Sequence, residues 1–281
     1  MPVLMDETAQ GGASLASKQR QGKRRGFSIR RFSDSPVSAD FCERLARDGA
    51  LTESELRTLL DVRTRAIRYR AGQIIAGDLE PLPCLIILSG WAASQRILED
   101  GDRQVFDLLA PGDGIGLWQS SRKPAAVSFV ALTDLVTADA SGLRRSGIGR
   151  AAGFTQALAS AEQQAESRLY DQIVRLGRRS SYERLADFLF GLYKRLTDAG
   201  RISGPRFPFP LTQEVLADCL GLTSIHVNRT LKQMRQDGLV RIAAGWLEIE
   251  NVDLLRDAAR DRPRGSDDTG WKNEDEHEPP R

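Results

Sequence analysis

The stretch Leu211-Thr-Gln-Glu-Val-Leu-Ala-Asp-Cys-Leu-Gly-Leu-Thr-Ser-Ile-His-Val-Asn-Arg-Thr-Leu-Lys-Gln-Met-Arg-Gln-Asp-Gly238 decides how this chain is read. Thr212 is placed to cap a first helix, and Ala217 supplies a small side chain where two helices must nearly touch. Gly221 can take positive φ at a turn, and Thr223 can cap a second helix. On that second helix Val227, Leu231 and Met234 fall on one face with Ile225 flanking it, while Ser224, His226, Asn228, Arg229 and Lys232 are left outward. Gly238 closes the helix. Leu239 to Ile242, the turn Ala243-Ala244-Gly245 and Trp246 to Ile249 then predict a two-stranded wing. A helix of this kind can enter a major groove with its N-terminal turn toward base edges, so the expected DNA-contacting set is Thr212, Thr223, Ser224, His226, Asn228, Arg229 and Lys232. Arg229 is expected to read a base and Lys232 to meet phosphate.

Working back toward the N-terminus, Phe154, Leu158, Ala161, Ala165, Leu169, Ile173 and Leu176 recur every three or four residues. The stripe is long and narrow with small residues inside it, which predicts a dimerisation helix over 151–178 with Leu158, Ala161, Ala165, Leu169, Ile173 and Leu176 in the seam. An intramolecular core helix is the alternative. A further helix starts at Ser181, which can act as its cap. It runs through Leu185, Phe188, Leu189, Leu192 and Leu196, and stops at Asp198-Ala199-Gly200.

Between Ala66 and Ala140 the pattern is of short β-rich runs: Gln73 to Ile75, Cys84 to Leu88, Ala92 to Leu98, Val105 to Leu109, Val127 to Leu132 and Leu135 to Ala138. Turn signals at Ala71-Gly72, Ser89-Gly90, Glu99-Asp100-Gly101-Asp102 and Pro111-Gly112-Asp113 divide them. Many short strands at near-regular spacing imply a sandwich, roll or barrel. Before them, Phe41, Leu45, Leu56, Leu59 and Leu60 suggest short helices, with Thr52 as an N-cap. The basic segment 1–35 and the acidic, Pro-bearing segment 259–281 have little to pack and are expected to be disordered.

The bulk numbers bound this reading. A chain of 281 residues with 41% hydrophobic content can bury the cores of two domains. The balance of 40 Lys and Arg against 38 Asp and Glu gives a net charge of only +2, so any affinity for a polyanion must come from local patches. Cys42, Cys84 and Cys219 are odd in number and widely spaced, which fits reduced thiols and a cytoplasmic setting. The longest apolar run, Leu85 to Leu88, is far too short to span a bilayer.

Over about residues 41 to 256 the sequence resembles the Crp/Fnr family of bacterial regulators. The resemblance rests on the β-rich run with its Pro111-Gly112-Asp113 turn, the long helix, the stretch Leu176-Gly-Arg-Arg-Ser-Ser-Tyr-Glu-Arg-Leu-Ala-Asp-Phe-Leu189 and the helix-turn-helix. It implies an α+β fold: a jelly-roll-like β-roll sensor domain, cyclic-nucleotide-binding-like, over 36–150, then a long dimerisation helix over 151–178, and a C-terminal winged helix-turn-helix over 179–258. It also implies a homodimer reading a palindromic operator in transcription regulation. Arg229 falls where the family keeps its recognition-helix Arg. Ser224 and Ile225 fall where many members carry Arg or Val and then Glu, so a different operator is implied.

The sensor domain departs from the cyclic-nucleotide-binding members. Leu117 stands where they carry a ribose-binding Glu, and Ala125-Ala126 stands where they carry Arg-Ser for the cyclic phosphate. Arg122 alone cannot replace both partners. An Fnr-type iron-sulfur centre needs four thiolates, three of them clustered near the N-terminus, where only Cys42 lies. A haem sensor would want a His in the sensor half, and His226 and His277 lie elsewhere. A cupin-like metalloenzyme lacks its histidines altogether. The expectation is therefore no enzyme, no cofactor and no metal, with an effector other than cyclic AMP or none. Expected partners are a double-stranded DNA operator and a second copy of the chain, with RNA polymerase as a candidate third and no membrane. The competing reading is a winged-helix protein-interaction module with a redox-responsive cysteine, Cys42 or Cys84.

Overall fold

The computed structural model describes residues 51–55, 57, 65–77, 82–117, 127–143 and 151–259, and the backbone of 35–36, 63–64 and 144–145. Apart from Ser35 and Ala259, the expected tails lie outside the described residues. So do Phe41, Cys42, Leu45, Leu56, Leu59, Leu60, Arg122, the Ala125-Ala126 pair and His277. Thr52 caps as expected: its hydroxyl accepts from the Glu55 N–H at 3.2 Å, and its own N–H donates to the Glu55 carboxylate at 2.7 Å.

Ten strands come first: β1 (Ser35–Pro36), β2 (Arg63–Thr64), β3 (Ala66–Tyr69), β4 (Ile74–Ala76), β5 (Leu85–Ser89), β6 (Ala92–Ile97), β7 (Arg103–Leu109), β8 (Gly114–Ile115), β9 (Ser128–Ala131) and β10 (Leu135–Asp139). β1 and β2 pair with each other, and the rest form two four-stranded sheets of order β3-β10-β5-β8 and β4-β9-β6-β7. Every pairing is antiparallel. Alternation along the strands decides which side chains fill the space between the sheets. Ile87, Ala92, Ile115, Phe129, Ala131 and Leu135 meet there in one buried cluster.

Other side chains of these strands and of β7 face outward yet are also buried. Ile86 and Ala138 pack under helix α1 (Ser141–Arg145) and the first turns of α2 (Ala152–Arg178), against Leu143, Phe154 and Ala157. On the other sheet Ala93, Val105 and Val130 join the apolar cluster of the C-terminal helices. Both sheets are thus covered on both faces, which is why the strands read as nearly continuous apolar runs.

Helix α3 (Ser181–Asp198) is capped by Ser180 rather than by Ser181. The Ser180 hydroxyl accepts from the Glu183 N–H at 3.4 Å, and the Glu183 carboxylate accepts from the Ser180 N–H at 2.8 Å. The Glu three residues on selects between the two serines, because only that spacing closes a capping box. After β11 (Arg206–Pro208) come α4 (Gln213–Leu220), α5 (Ser224–Gln236), β12 (Val240–Ala243), β13 (Trp246–Ile249) and α6 (Val252–Ala258). The expected two-stranded wing is three-stranded, in the order β11-β13-β12. Phe207 of β11 is completely buried and anchors the added strand to the helices.

Candidate nucleic-acid interface

The helix pair is built by its caps. The Thr212 hydroxyl accepts from the Val215 N–H at 3.2 Å and starts α4. Gly221 ends it at φ 60° and ψ 42°, the left-handed region that an L side chain disfavours. A Cβ at Gly221 would also press to 3.3 Å from Leu176 Cδ2. The Thr223 hydroxyl accepts from the His226 N–H at 3.3 Å and starts α5 after a three-residue interval. Val227, Thr230, Leu231 and Met234 are the buried face of α5, and Ala217 is buried where α4 faces it.

His226, Asn228, Arg229 and Lys232 are exposed, as are both capping threonines, and Ser224 is half-buried. The seven sequence-predicted DNA contacts therefore lie along α5 and at the starts of α4 and α5. Among the described residues Arg229 and Lys232 pair with no carboxylate. Two details differ from expectation. Ile225 does not flank the apolar face: it is 80% exposed. Asn228 is already held, its amide donating to Gln213 Oε1 at 3.1 Å. Gln213 was not anticipated, because only the approach of α4 to α5 puts that first-turn side chain beside the outward face.

The other end of α4 is fastened to the rest of the chain. A helix leaves its last carbonyls without intrahelical donors. The Asp218 carbonyl accepts from the Gln104 amide of β7 at 2.8 Å, that of Cys219 from the Gln172 amide of α2, and that of Leu220 from Arg184 of α3 at 3.1 Å. The Asp218 carboxylate accepts from Arg103 Nε at 2.6 Å. Burial pushes the Cys219 thiol up, far from the range in which it would ionise.

A second junction surrounds the Pro111-Gly112-Asp113 turn. Buried Asp113 accepts from the Ala110 N–H at 2.7 Å and pairs with Arg195 of α3. Arg195 also donates to the Leu108 carbonyl at 2.7 Å and lies 3.3 Å from Asp107, whose other oxygen takes Arg168 Nε of α2 at 2.9 Å. Gly112, at φ 86°, leaves room for the Arg201 guanidinium, which a Cβ there would strike at 1.8 Å. None of these cross-element contacts was visible in the sequence, since they join elements 36 to 115 positions apart.

Comparison with known proteins fits this geometry. A family model described as a Crp-like helix-turn-helix domain matches residues 183–258, the segment from the capping box of α3 to the end of α6. The nitrogen fixation regulation protein FixK of Bradyrhizobium diazoefficiens is 28% identical over 186 residues, 66% of this chain and 78% of that protein. The transcriptional activator protein FnrL of Cereibacter sphaeroides is 29% identical over 212 residues, 72% of this chain and 80% of its own length. The solved structure of FixK2 from Bradyrhizobium japonicum superposes with a TM-score of 0.61 at 24% identity, over 70% of this chain and 98% of FixK2. These similarities support the Crp/Fnr family for this chain. The chain is a transcription regulator of the Crp/Fnr type with a helix-turn-helix DNA-binding domain.

In this Crp/Fnr chain the six expected seam residues of α2 do not share one environment. Leu158 packs against the cluster under the β3-β10-β5-β8 sheet, Ala161 is buried and Ala165 half-buried. Leu176 lies over the turn glycine Gly221. Only Leu169 and Ile173 are exposed, at 43% and 66%, joined by Tyr170 and Val174, which the spacing argument had passed over. Within one chain these positions divide into an inward N-terminal half and an outward apolar stripe in the C-terminal half. Periodicity marks apolar positions without saying what covers them.

Leu117 is buried among Ile86, Ala138, Leu143, Phe154 and Ala157. Half-buried Cys84 packs against the same cluster. Among the described residues no group of three His, Cys, Asp or Glu could hold a metal ion, and no helix is long and apolar enough to cross a membrane.

Proposed function

We propose that this Crp/Fnr regulator works as a cytoplasmic homodimer that places two α5 helices on the half-sites of a palindromic operator. The division of labour is a sensor over 36–150, a dimer helix over 151–178 and a DNA-reading head over 179–258. The observation that carries the reading is the outward face of α5, where Arg229 and Lys232 stand exposed on the second and third turns and are left for phosphate and base edges. Leu169, Tyr170, Ile173 and Val174 form an apolar stripe that a second α2 would cover. Leu117, an apolar side chain in a closed apolar cluster, favours an effector other than cyclic AMP or none, and calorimetric titration with cyclic AMP is expected to show no saturable binding.

Selection of bound fragments from random duplex DNA is the test of the main reading, and a recovered palindrome is the expected result. Leu169→Asp combined with Ile173→Asp is expected to give monomers by mass in solution and weaker operator binding. Absence of salt-dependent DNA affinity would favour a protein-interaction module instead.

A further inference from the structure

The first turn of α5 carries a large apolar side chain turned away from the protein. Ile225, the second residue after the Thr223 cap, is 80% exposed. It stands four positions before Arg229 and seven before Lys232, on the same line of the helix surface. Buried Met234 is nine positions on, about two and a half turns, and therefore on the opposite face. Ile225 thus contributes nothing to the core, and it occupies the middle of the face that the function presents to DNA.

A duplex offers little that suits such a group. Base edges in the major groove are hydrogen-bond donors and acceptors, which an aliphatic side chain would leave unpaired at a cost. Its apolar feature is the C5 methyl of thymine. Resting on the DNA-reading proposal above, we infer that Ile225 is a specificity-determining residue that packs on the methyl of one thymine in each half-site. The polar neighbours divide the remaining contacts: Arg229, one turn further on the same line, takes a hydrogen-bonding base edge of the same half-site.

The test uses the full chain and an operator recovered by selection. Each thymine is replaced in turn by deoxyuridine, which removes the methyl and keeps the pairing edge. Dissociation constants are then measured for wild type, Ile225→Ala and Ile225→Val. At one thymine per half-site the replacement is expected to weaken wild type and Ile225→Val about fourfold, the worth of one buried methyl, and to leave Ile225→Ala unchanged. If wild type is insensitive at every thymine, or if Ile225→Ala loses as much as wild type does, the inference is overturned while DNA reading stands. If no duplex is recovered at all, the DNA-reading proposal falls and takes this inference with it.

Discussion

Two regions of this molecule use the same residue types to opposite ends. Around β7 three arginines that reach across to another element meet carboxylates: Arg103 meets Asp218, Arg168 meets Asp107, and Arg195 meets Asp107 and Asp113. Arg175 and Asp187 repeat the pattern between α2 and α3. Along the outward line of α5, Arg229 and Lys232 meet none among the described residues. With a net charge of +2 the whole chain has no field to speak of, so pairing is what separates structural cations from functional ones. A paired, partly buried guanidinium holds elements in place, whereas an exposed and unpaired one is available to a polyanion.

The comparison breaks most visibly at the junction. Arg195→Ala leaves buried Asp113 and the Leu108 carbonyl without their shared donor, and is expected to lower unfolding free energy by about 3 kcal/mol. Denaturant titration measures this, and a change within about 0.5 kcal/mol, typical of a surface site, would put Arg195 in the same class as Arg229. The reverse holds on α5. Arg229→Ala should leave stability unchanged yet weaken operator binding by about 1–3 kcal/mol per half-site and relax preference at one base pair. Competition against a one-base-substituted operator library reads both effects, and an unaltered preference would remove its base-reading role.

Lys232→Ala sharpens the contrast within α5 itself. It should weaken all sequences alike and lower the salt slope by about one unit for each phosphate no longer neutralised, as an ionic-strength series would record. The smallest expected effect belongs to the wing, away from both arginine sets. Ala244 and Gly245 hold φ of 50° and 75° in the two-residue turn between paired Ala243 and Trp246. Asn suits the first of two left-handed positions better than Ala, so Ala244→Asn should stabilise the chain by about 0.5–1 kcal/mol without altering the salt slope.

What the sequence disclosed was local. Thr212, Gly221 and Thr223 act within four residues of themselves, so the helix pair and its turn were legible with their caps. β4, β5, β6, β7, β9 and β10 were found to within a residue or two, because alternation and turn glycines are short-range signals, whereas β3 and β8 were not among the predicted runs. The third strand of the wing was not legible. Arg206–Pro208 is three residues long and becomes a strand only by pairing with β13, some forty positions on. The flanking place expected for Ile225 fails for a different reason: an aliphatic side chain suggests burial, whereas its spacing to Arg229 and Lys232 puts it outward. The seam of α2 required knowing which partner lies against each half of a helix 27 residues long, and no period contains that.

The capping of α4 bears on modularity. The carbonyls of Asp218 and Cys219 are satisfied by Gln104 and Gln172, which lie outside the head in β7 and α2. A head excised at residue 179 and grafted onto a foreign sensor keeps only Arg184 at that end. Water must then serve the other two carbonyls, and the last turn of the first helix frays sooner than in the parent chain. The boundary at which this protein can be cut for a chimera is therefore set by two glutamine amides rather than by the break between helices. A transplant that carries α2 and supplies an amide in place of Gln104 retains the geometry that aims α5.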